Sequence, residues 1–337
     1  MPDECYNWRE TAARGVKRLK KMYEKLYRNY PRIVRYNGPL DGPIGGEYGE
    51  KIGGLLVEQL TPGPFQYLDL PAFVNPKSPT SSEEDMLILS LYYRWALQSL
   101  SAISYLHTQG VFLRVFSSQM VWLRSDFSLA ITGFINAIHL SEFTYTSDIR
   151  GYYTSEEYNA ELAREDDGMI CDEWLTYQDE NGSEVPGVEE DLFQWATFVW
   201  RLMTIGEQLH PHWLWDPNSP RPDDPIADYG QNKDTLEAAM RERDASGNMW
   251  QELEEERLGR VLVKAWNGGY ESAGDVMADV RAIAVSTGVT AHEDEVSIDQ
   301  VWEDVFEVVQ QGDGPWEREL RVRMPIVKRM FEEWVKI

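Results

Sequence analysis

The sequence predicts an α+β fold in which a small N-terminal part with two strands precedes a larger, mostly helical part. Two segments, residues 9–30 and 89–106, carry apolar side chains at intervals of three and four, which is typical of amphipathic helices. Short apolar runs bounded by Gly, Pro, Asp or Ser lie between and after them and indicate strands. With 337 residues, 42% of them hydrophobic, the chain can bury a substantial core.

The stretch from residue 89 to residue 136 organises the rest of the chain. It opens with a helix that Gly110 ends, and a short irregular loop follows. Two apolar runs, residues 120–123 and 129–132, flank a polar turn and predict a β-hairpin. The apolar stripe of the helix consists of Leu89, Tyr93, Leu97, Leu100, Ile103 and Leu106.

This order of helix, loop, hairpin and a small-residue break is similar to the centre of a protein kinase C-lobe. Tyr105-Leu106-His107 resembles the Tyr-Leu-His sequence that is usual near the end of the long central helix in that family, which implies a structural role for His107. The resemblance places Leu113-Arg114-Val115 in the position of His-Arg-Asp, Met120 in that of the catalytic-loop Asn, and Gly133-Phe134-Ile135 in that of Asp-Phe-Gly.

According to this resemblance, the chain keeps the hydrophobic residues of a kinase C-lobe but lacks its catalytic and metal-binding residues. In the family the loop Asp accepts the substrate proton, while the loop Asn and the Asp before Phe-Gly hold magnesium. Val115, Met120 and Gly133 offer no oxygen side chain, although Mg²⁺ requires oxygen ligands. We therefore expect no metal, no cofactor and no catalytic residues. One alternative stays open: Asp126-Phe127-Ser128 could be the metal-binding triplet, but this would place Asp126 in the turn of the predicted hairpin.

Residues 1–60 are expected to form a reduced kinase N-lobe with a C-helix, two strands and a hinge. Tyr30-Pro31-Arg32-Ile33-Val34 is similar to the exit from the kinase C-helix, and strands are predicted at 33–36 and 55–60. Only about ten residues precede the helix, too few for the glycine-rich loop and the strand bearing the ATP lysine. Either the small lobe lacks these strands, or the C-terminal segment or a partner supplies them.

Two further features of this N-terminal part differ from the kinase pattern. Lys20 and Lys21 lie near the place of the Glu that would fix the ATP lysine. The glycines between residues 38 and 54 do not have phosphate-loop spacing, so we expect a long hairpin loop. Glu58, Gln59 and Leu60 lie where a kinase hinge would hold adenine.

Residues 61–287 are expected to form a kinase-like C-lobe with an acidic insertion at 156–190. Ser81 or Ser82, with Glu84 or Asp85, predicts an N-cap for the central helix. Asp191 resembles the F-helix Asp that anchors the catalytic-loop backbone in kinases, although an isolated Asp at a helix N-terminus is also a good cap. Further helices are predicted at 235–243, 250–266 and 272–285.

Residues 288–337 are expected to form a C-terminal extension that packs on the kinase-like body and replaces part of the lost sheet. Residues 296–309 have a helical or mixed pattern, and residues 319–324 alternate as a strand would. Residues 326–335 could form a closing helix.

The formal net charge of −25 argues against nucleic acid or an anionic membrane as a partner. Residues 9–35 carry ten Lys or Arg and two acids, whereas residues 156–191 carry fourteen acids and one base. Both segments could be solvated faces, or one of them could bind a partner protein of opposite charge. Arg114, which the resemblance aligns with the kinase loop Arg, is expected to pair with an acid of 156–190.

The remaining sequence features indicate no metal site, no signal peptide and no membrane-spanning segment. Cys5 and Cys171 form no metal or redox spacing, and His210-Pro211-His212 has no third ligand nearby, so it is a poor zinc site. The polar N-terminus does not resemble a signal peptide, and no apolar run is long enough to cross a membrane. We therefore expect an intracellular protein, cytoplasmic or nuclear.

Taken together, the resemblance implies a pseudokinase that acts as a protein-binding or scaffolding module, of a type common in filamentous fungi. The alternative is a divergent kinase or nucleotide-binding switch that uses relocated residues, with Asp126, Asp191 and Glu58 as candidates. A third possibility is an obligate subunit whose fold depends on its partner.

Overall fold

The fold is a mixture of helices and short strands around one long buried helix, as the sequence predicts for an α+β protein. The computed structural model describes residues 8–26, 29–41, 52–113, 115–139, 177–178, 184–185, 187–205, 253–312 and 317–323. Its helices are α1 Trp8–Lys25, α2 Glu83–Thr108, α3 Val188–Met203, α4 Gly259–Trp266, α5 Ala273–Ser286 and α6 Trp302–Val305. Its strands are β1 Tyr36–Asp41, β2 Ile52–Val57, β3 Gly63–Pro64, β4 Leu68–Asp69, β5 Val111–Phe112, β6 Val121–Leu123, β7 Leu129–Ile131, β8 Ile138–His139, β9 Tyr177–Gln178, β10 Glu184–Val185, β11 Thr290–His292, β12 Glu295–Ser297, β13 Phe306–Gln310 and β14 Arg318–Val322.

Helix α2 forms the centre of the core and begins with the predicted cap. The Ser82 hydroxyl accepts the Asp85 backbone N–H at 3.2 Å, and the Asp85 carboxylate accepts the Ser82 N–H at 2.7 Å. This capping box satisfies two N–H groups that a helix end leaves free. Helices α3 and α5 pack against α2, so residues all around α2 are buried. Trp195 of α3, fully buried, donates its indole N–H to the Ala96 carbonyl at 3.2 Å.

The predicted β-hairpin after α2 is confirmed as β6 and β7. The two strands pair antiparallel, with Val121 opposite Ile131 and Leu123 opposite Leu129. The Arg124 N–H donates to the Ser128 carbonyl at 2.9 Å and closes the turn. Strand β7 is buried on both faces, and in β6 only the middle residue Trp122 is partly exposed, which explains why the apolar runs are continuous rather than alternating.

The N-terminal part differs from the prediction at its boundaries. Helix α1 was expected to reach Tyr30 but ends at Lys25, and the Tyr30 ring instead stacks on Tyr105 of α2 at 4.0 Å. The strand expected at 33–36 is wrong. Ile33 makes a single parallel bridge to Ile131, and β1 begins only at Tyr36, because the backbone of this segment is already bonded to β7.

Strands β1 and β2 confirm that the glycine-rich stretch lies inside a hairpin. They pair antiparallel from Tyr36 opposite Val57 to Asp41 opposite Ile52. Strand β2 begins and ends about three residues earlier than the predicted strand at 55–60. The connecting residues 42–51 lie outside the described part of the chain.

The described part of the C-terminal extension packs on the body through β13 and β14. Strand β13 pairs with β14, and β14 pairs in parallel with β4, with Arg318 opposite Leu68. These strands add to β4 and not to the β1–β2 sheet, so the replacement of the N-lobe sheet stays a prediction for residues 324–337, which lie outside the described part of the chain. The mixed pattern at 296–309 resolves into β12, α6 and β13, and the strand predicted at 319–324 is confirmed as β14, beginning one residue earlier.

The helix predicted at 250–266 is shorter than expected. A 3₁₀ turn at Glu255–Arg257 precedes α4, and Leu258 between them has a positive φ of 64°. Gly259 is needed at the start of α4, since a Cβ there would lie 1.8 Å from the Leu253 carbonyl oxygen. The helix predicted at 272–285 is confirmed as α5. The predictions for Arg114, 156–176, 210–212, 235–243 and 326–335 lie outside the described residues.

Candidate functional site

Asp191 ties the end of α2 and the loop after it to the first turn of α3. Its carboxylate, which is fully buried, accepts the Leu113 backbone N–H at 2.9 Å. The same oxygen lies 2.8 Å from His107 Nε2. The imidazole stacks on Phe112 at 4.9 Å, which fixes its orientation. The structure thus brings together His107 and Asp191, the two residues that the sequence analysis singled out as structural, and adds the Leu113 N–H to them.

The loop that Asp191 holds leads into an apolar centre. Val115 and Met120 are 8% and 7% exposed, and Leu113 is fully buried. The Thr132 N–H donates to the Met120 carbonyl at 2.8 Å, so the end of the hairpin lies against the loop. A Cβ on Gly133 would lie 3.6 Å from Met120 Cγ. Positions 120 and 133 are therefore neighbours, and neither they nor position 115 offers a side-chain oxygen.

Helix α1 packs against the segment that follows this centre. The Tyr23 ring meets the fully buried Phe134 edge-on at 5.2 Å, and its hydroxyl lies 2.7 Å from Thr132 Oγ1. Arg18 donates to the Ala137 carbonyl at 2.9 Å. Burial raises the pKa of Tyr23 to about 12. Tyr23 therefore stays neutral at physiological pH and serves as a packing and hydrogen-bonding group.

Ile135 is the exposed member of the Gly133-Phe134-Ile135 triplet, with 41% of its surface accessible. It nevertheless contacts α1, because a Cβ on Gly15 would lie 2.7 Å from Ile135 Cδ1. Gly15 therefore allows α1 to approach this segment closely.

Of the hinge-like residues, Glu58 is held by a partly buried ion pair. Glu58 accepts hydrogen bonds from Arg124 at 2.8 Å and from the Arg35 backbone N–H at 2.8 Å. Burial acts to raise the pKa of Glu58, but the bonds from Arg124 and Arg35 outweigh it and lower this pKa. Gln59 is exposed and Leu60 is buried. Glu58 is thus engaged in joining β2 to the turn between β6 and β7.

Asp126 lies in the hairpin turn, not in a metal site. Its carboxylate accepts the Ser128 N–H at 3.0 Å and lies 3.5 Å from Arg94. Burial acts to raise the pKa of Asp126, but the bonds from Ser128 and the charge of Arg94 lower it overall. Within the described ranges no group of three or more His, Cys, Asp or Glu side chains is arranged to hold a metal ion. The reading of Asp126-Phe127-Ser128 as a metal-binding triplet therefore has no geometric support.

Sequence reasoning missed a cluster of charges that binds the extension to the core, the Arg32–Arg94 clamp. Both arginines are buried, at 7% and 4% exposure. Arg32 donates to Asp294 at 2.7 Å and to Glu295 at 2.6 Å, and Arg94 donates to Glu295 at 2.8 Å. Gln98 donates to the same Glu295 at 2.9 Å. A signal was present, since Arg94 is charged inside an otherwise apolar helical stretch, but nothing in the sequence identified its partner Glu295, 201 positions further along the chain.

No protein-family model matches this chain, and no curated protein has a significantly similar sequence. Among the described helices, none combines the length and the apolar character needed to cross a membrane.

Proposed function

We propose that this chain is a kinase-like protein that has lost phosphoryl transfer and acts as a protein-binding or scaffolding module. The observation that carries the proposal is the lack of a side-chain oxygen at positions 115, 120 and 133, where Val115 and Met120 are buried hydrocarbon. A magnesium-bound nucleotide needs carboxylate or amide oxygens at these positions, and Val115, Met120 and Gly133 offer it none.

The contacts of Asp191 support the kinase-like part of the proposal. A carboxylate on the first turn of α3 accepts a backbone N–H from the loop after α2 and bonds to His107 at the end of that helix. The resemblance implies this role for Asp191, whereas a simple helix cap would bond to its own helix. The packing of α1 on Phe134 fits the same arrangement.

The contacts of the three alternative residues speak against an enzyme with relocated catalytic groups. Asp191 is fully buried and has two partners, Glu58 is held by Arg124 and Arg35, and Asp126 is held by Ser128 and Arg94. A metal ligand or general base must be free to face its substrate. Each of these carboxylates instead stabilises the fold.

Thermal unfolding with ATP and MgCl₂, and with ATP plus EDTA, tests the proposal. A nucleotide at a hundred times its dissociation constant stabilises a protein by about 2.7 kcal/mol. For a chain of 337 residues this corresponds to a shift in Tm of about 4 °C. We expect no shift at millimolar nucleotide in either condition. A saturable shift that requires magnesium would refute the proposal, and a shift without magnesium would favour a nucleotide-binding switch.

A further inference from the structure

The β1–β2 hairpin has an inner face on the core and an outer face whose two leucines are exposed. Gly38 lies opposite Leu56 and Leu40 lies opposite Gly54, so these four residues share one face of the sheet. The neighbouring Leu55 and Val57 point the other way and pack against the core. Leu40 and Leu56 are 47% and 45% exposed, among the most exposed large apolar residues of the described chain.

The outer face also has room for side chains from another molecule. A Cβ on Gly38 would have nothing within 4 Å, and a Cβ on Gly54 would meet only Leu40, at 3.8 Å. Each leucine therefore stands beside an open position. The face offers two apolar projections and two shallow recesses, an arrangement into which alternate side chains of an added strand fit.

One edge of this sheet is open to pairing and the other is blocked. Strand β1 contains Pro39, which has no N–H and therefore weakens its edge as a template. Strand β2 contains no proline, and among the described strands it pairs only with β1. Leu55 is opposite Pro39, so antiparallel geometry turns the Leu55 N–H and C=O toward the open edge. The C-terminal extension does not use this edge in its described part, because β14 pairs with β4.

The size of the face argues against a second copy of this chain as the occupant. Two six-residue strands cover roughly 20 by 10 Å, or about 200 Å². A stable interface between two globular proteins needs about 800 Å² on each partner. An added strand needs less area, since main-chain hydrogen bonds supply much of the affinity.

We propose that β2 binds an extended peptide of a partner protein, which pairs with its open edge and places aliphatic side chains beside Leu56, on the face that Leu56 shares with Leu40. This inference rests on the proposed function and names the kind of partner that the scaffold takes.

The test uses the full chain and a phage library of random peptides of about nine residues. The library is selected on the wild type and depleted on the double variant Leu40→Asp/Leu56→Asp. The matched control is Val285→Asp/Val301→Asp, since both of these valines are 58% exposed and lie outside the hairpin. Enriched peptides are synthesised, and their affinities for all three proteins are measured by fluorescence anisotropy. Circular dichroism verifies that each variant is folded.

We expect enriched peptides with aliphatic residues at alternate positions. Their affinity should fall at least about tenfold for the Leu40/Leu56 variant and remain unchanged for the control. Methylation of alternate peptide nitrogens on the pairing edge should abolish binding, because it removes the main-chain donors.

Failure of the selection to enrich any peptide that depends on Leu40 and Leu56 would overturn the inference. Equal binding of the N-methylated peptides would also overturn it, because strand pairing would then not be involved. Self-association that the Leu40/Leu56 substitutions remove would contradict a peptide as the occupant. None of these results bears on phosphoryl transfer, whereas magnesium-dependent ATP binding would refute the proposed function and leave this surface in place.

Discussion

Replacing Asp191 by Ala tests whether this residue anchors the loop after α2 or only caps helix α3. The substitution leaves the buried Leu113 N–H without an acceptor and removes a bond to His107. A buried unsatisfied N–H costs about 1–3 kcal/mol, and the loss of a bond to a charged group costs about 1.5–3 kcal/mol. Because the His107 side chain is 12% exposed and can take up water, we expect a total loss of about 3–4 kcal/mol of unfolding free energy. This is a large share of the stability of a typical domain.

Glu189→Ala is the matched control for Asp191→Ala. Glu189 lies in the same first turn of α3 but is exposed, so it contributes only through the helix dipole, about 0.3–1 kcal/mol. Asp191→Asn keeps one acceptor oxygen for the Leu113 N–H and should cost less than Asp191→Ala, about 1–2 kcal/mol.

Urea unfolding followed by circular dichroism gives these free energies, and hydrogen exchange measured by mass spectrometry gives the local effect. Asp191→Ala should speed exchange of the amides at 111–113, whereas Glu189→Ala should not. Equal losses of stability in the Asp191→Ala and Glu189→Ala variants, with unchanged exchange at 111–113, would refute the anchoring role.

Two further predictions concern the Arg32–Arg94 clamp. Glu295→Gln should lower the free energy of unfolding by about 2 kcal/mol in urea titrations, because it weakens charged bonds to two buried arginines, while Glu293→Gln in the adjacent turn should stay within about 0.5 kcal/mol. Burial acts to raise the pKa of Asp294, but the bonds from Arg32 outweigh it and lower this pKa, so the carboxylate stabilises the fold above the ordinary Asp value of about 3.9 and loses this effect as pH falls through the lowered pKa. Asp294→Asn should therefore be less stable than the wild type at pH 7 and should lose less on acidification below about pH 4; identical pH profiles would contradict this.

Local signals in the sequence were sufficient for much of the fold. The N-cap at Ser82, the β6–β7 hairpin, helix α5 and strand β14 follow from caps, apolar periodicity and turn residues, which act over a few positions. The ends of α1 and the start of β1 could not be predicted, because Tyr30 and Ile33 are held by Tyr105 and Ile131, about 75 and 98 positions further along the chain.

The candidate site was predictable to a similar degree. A resemblance to kinase motifs singled out His107 and Asp191, and the structure brings them together. The Arg32–Arg94 clamp was not predictable, since its partners come from three distant segments and no local pattern links Arg94 to Glu295. The same reason applies to the extension: alternation identified β14 as a strand but carried no information on its partner β4.

The claim that positions 115, 120 and 133 hold no metal-bound nucleotide has a direct test. Methyl-labelled protein is titrated with ATP and Mn²⁺, a paramagnetic ion that broadens the signals of nearby methyl groups and replaces Mg²⁺. We predict that the methyl signals of Val115, Met120 and Ile135 keep their line widths at millimolar Mn²⁺-ATP, as do those of the exposed Val285 in α5. Selective, saturable broadening at Val115, Met120 and Ile135, with Val285 unaffected, would contradict the claim.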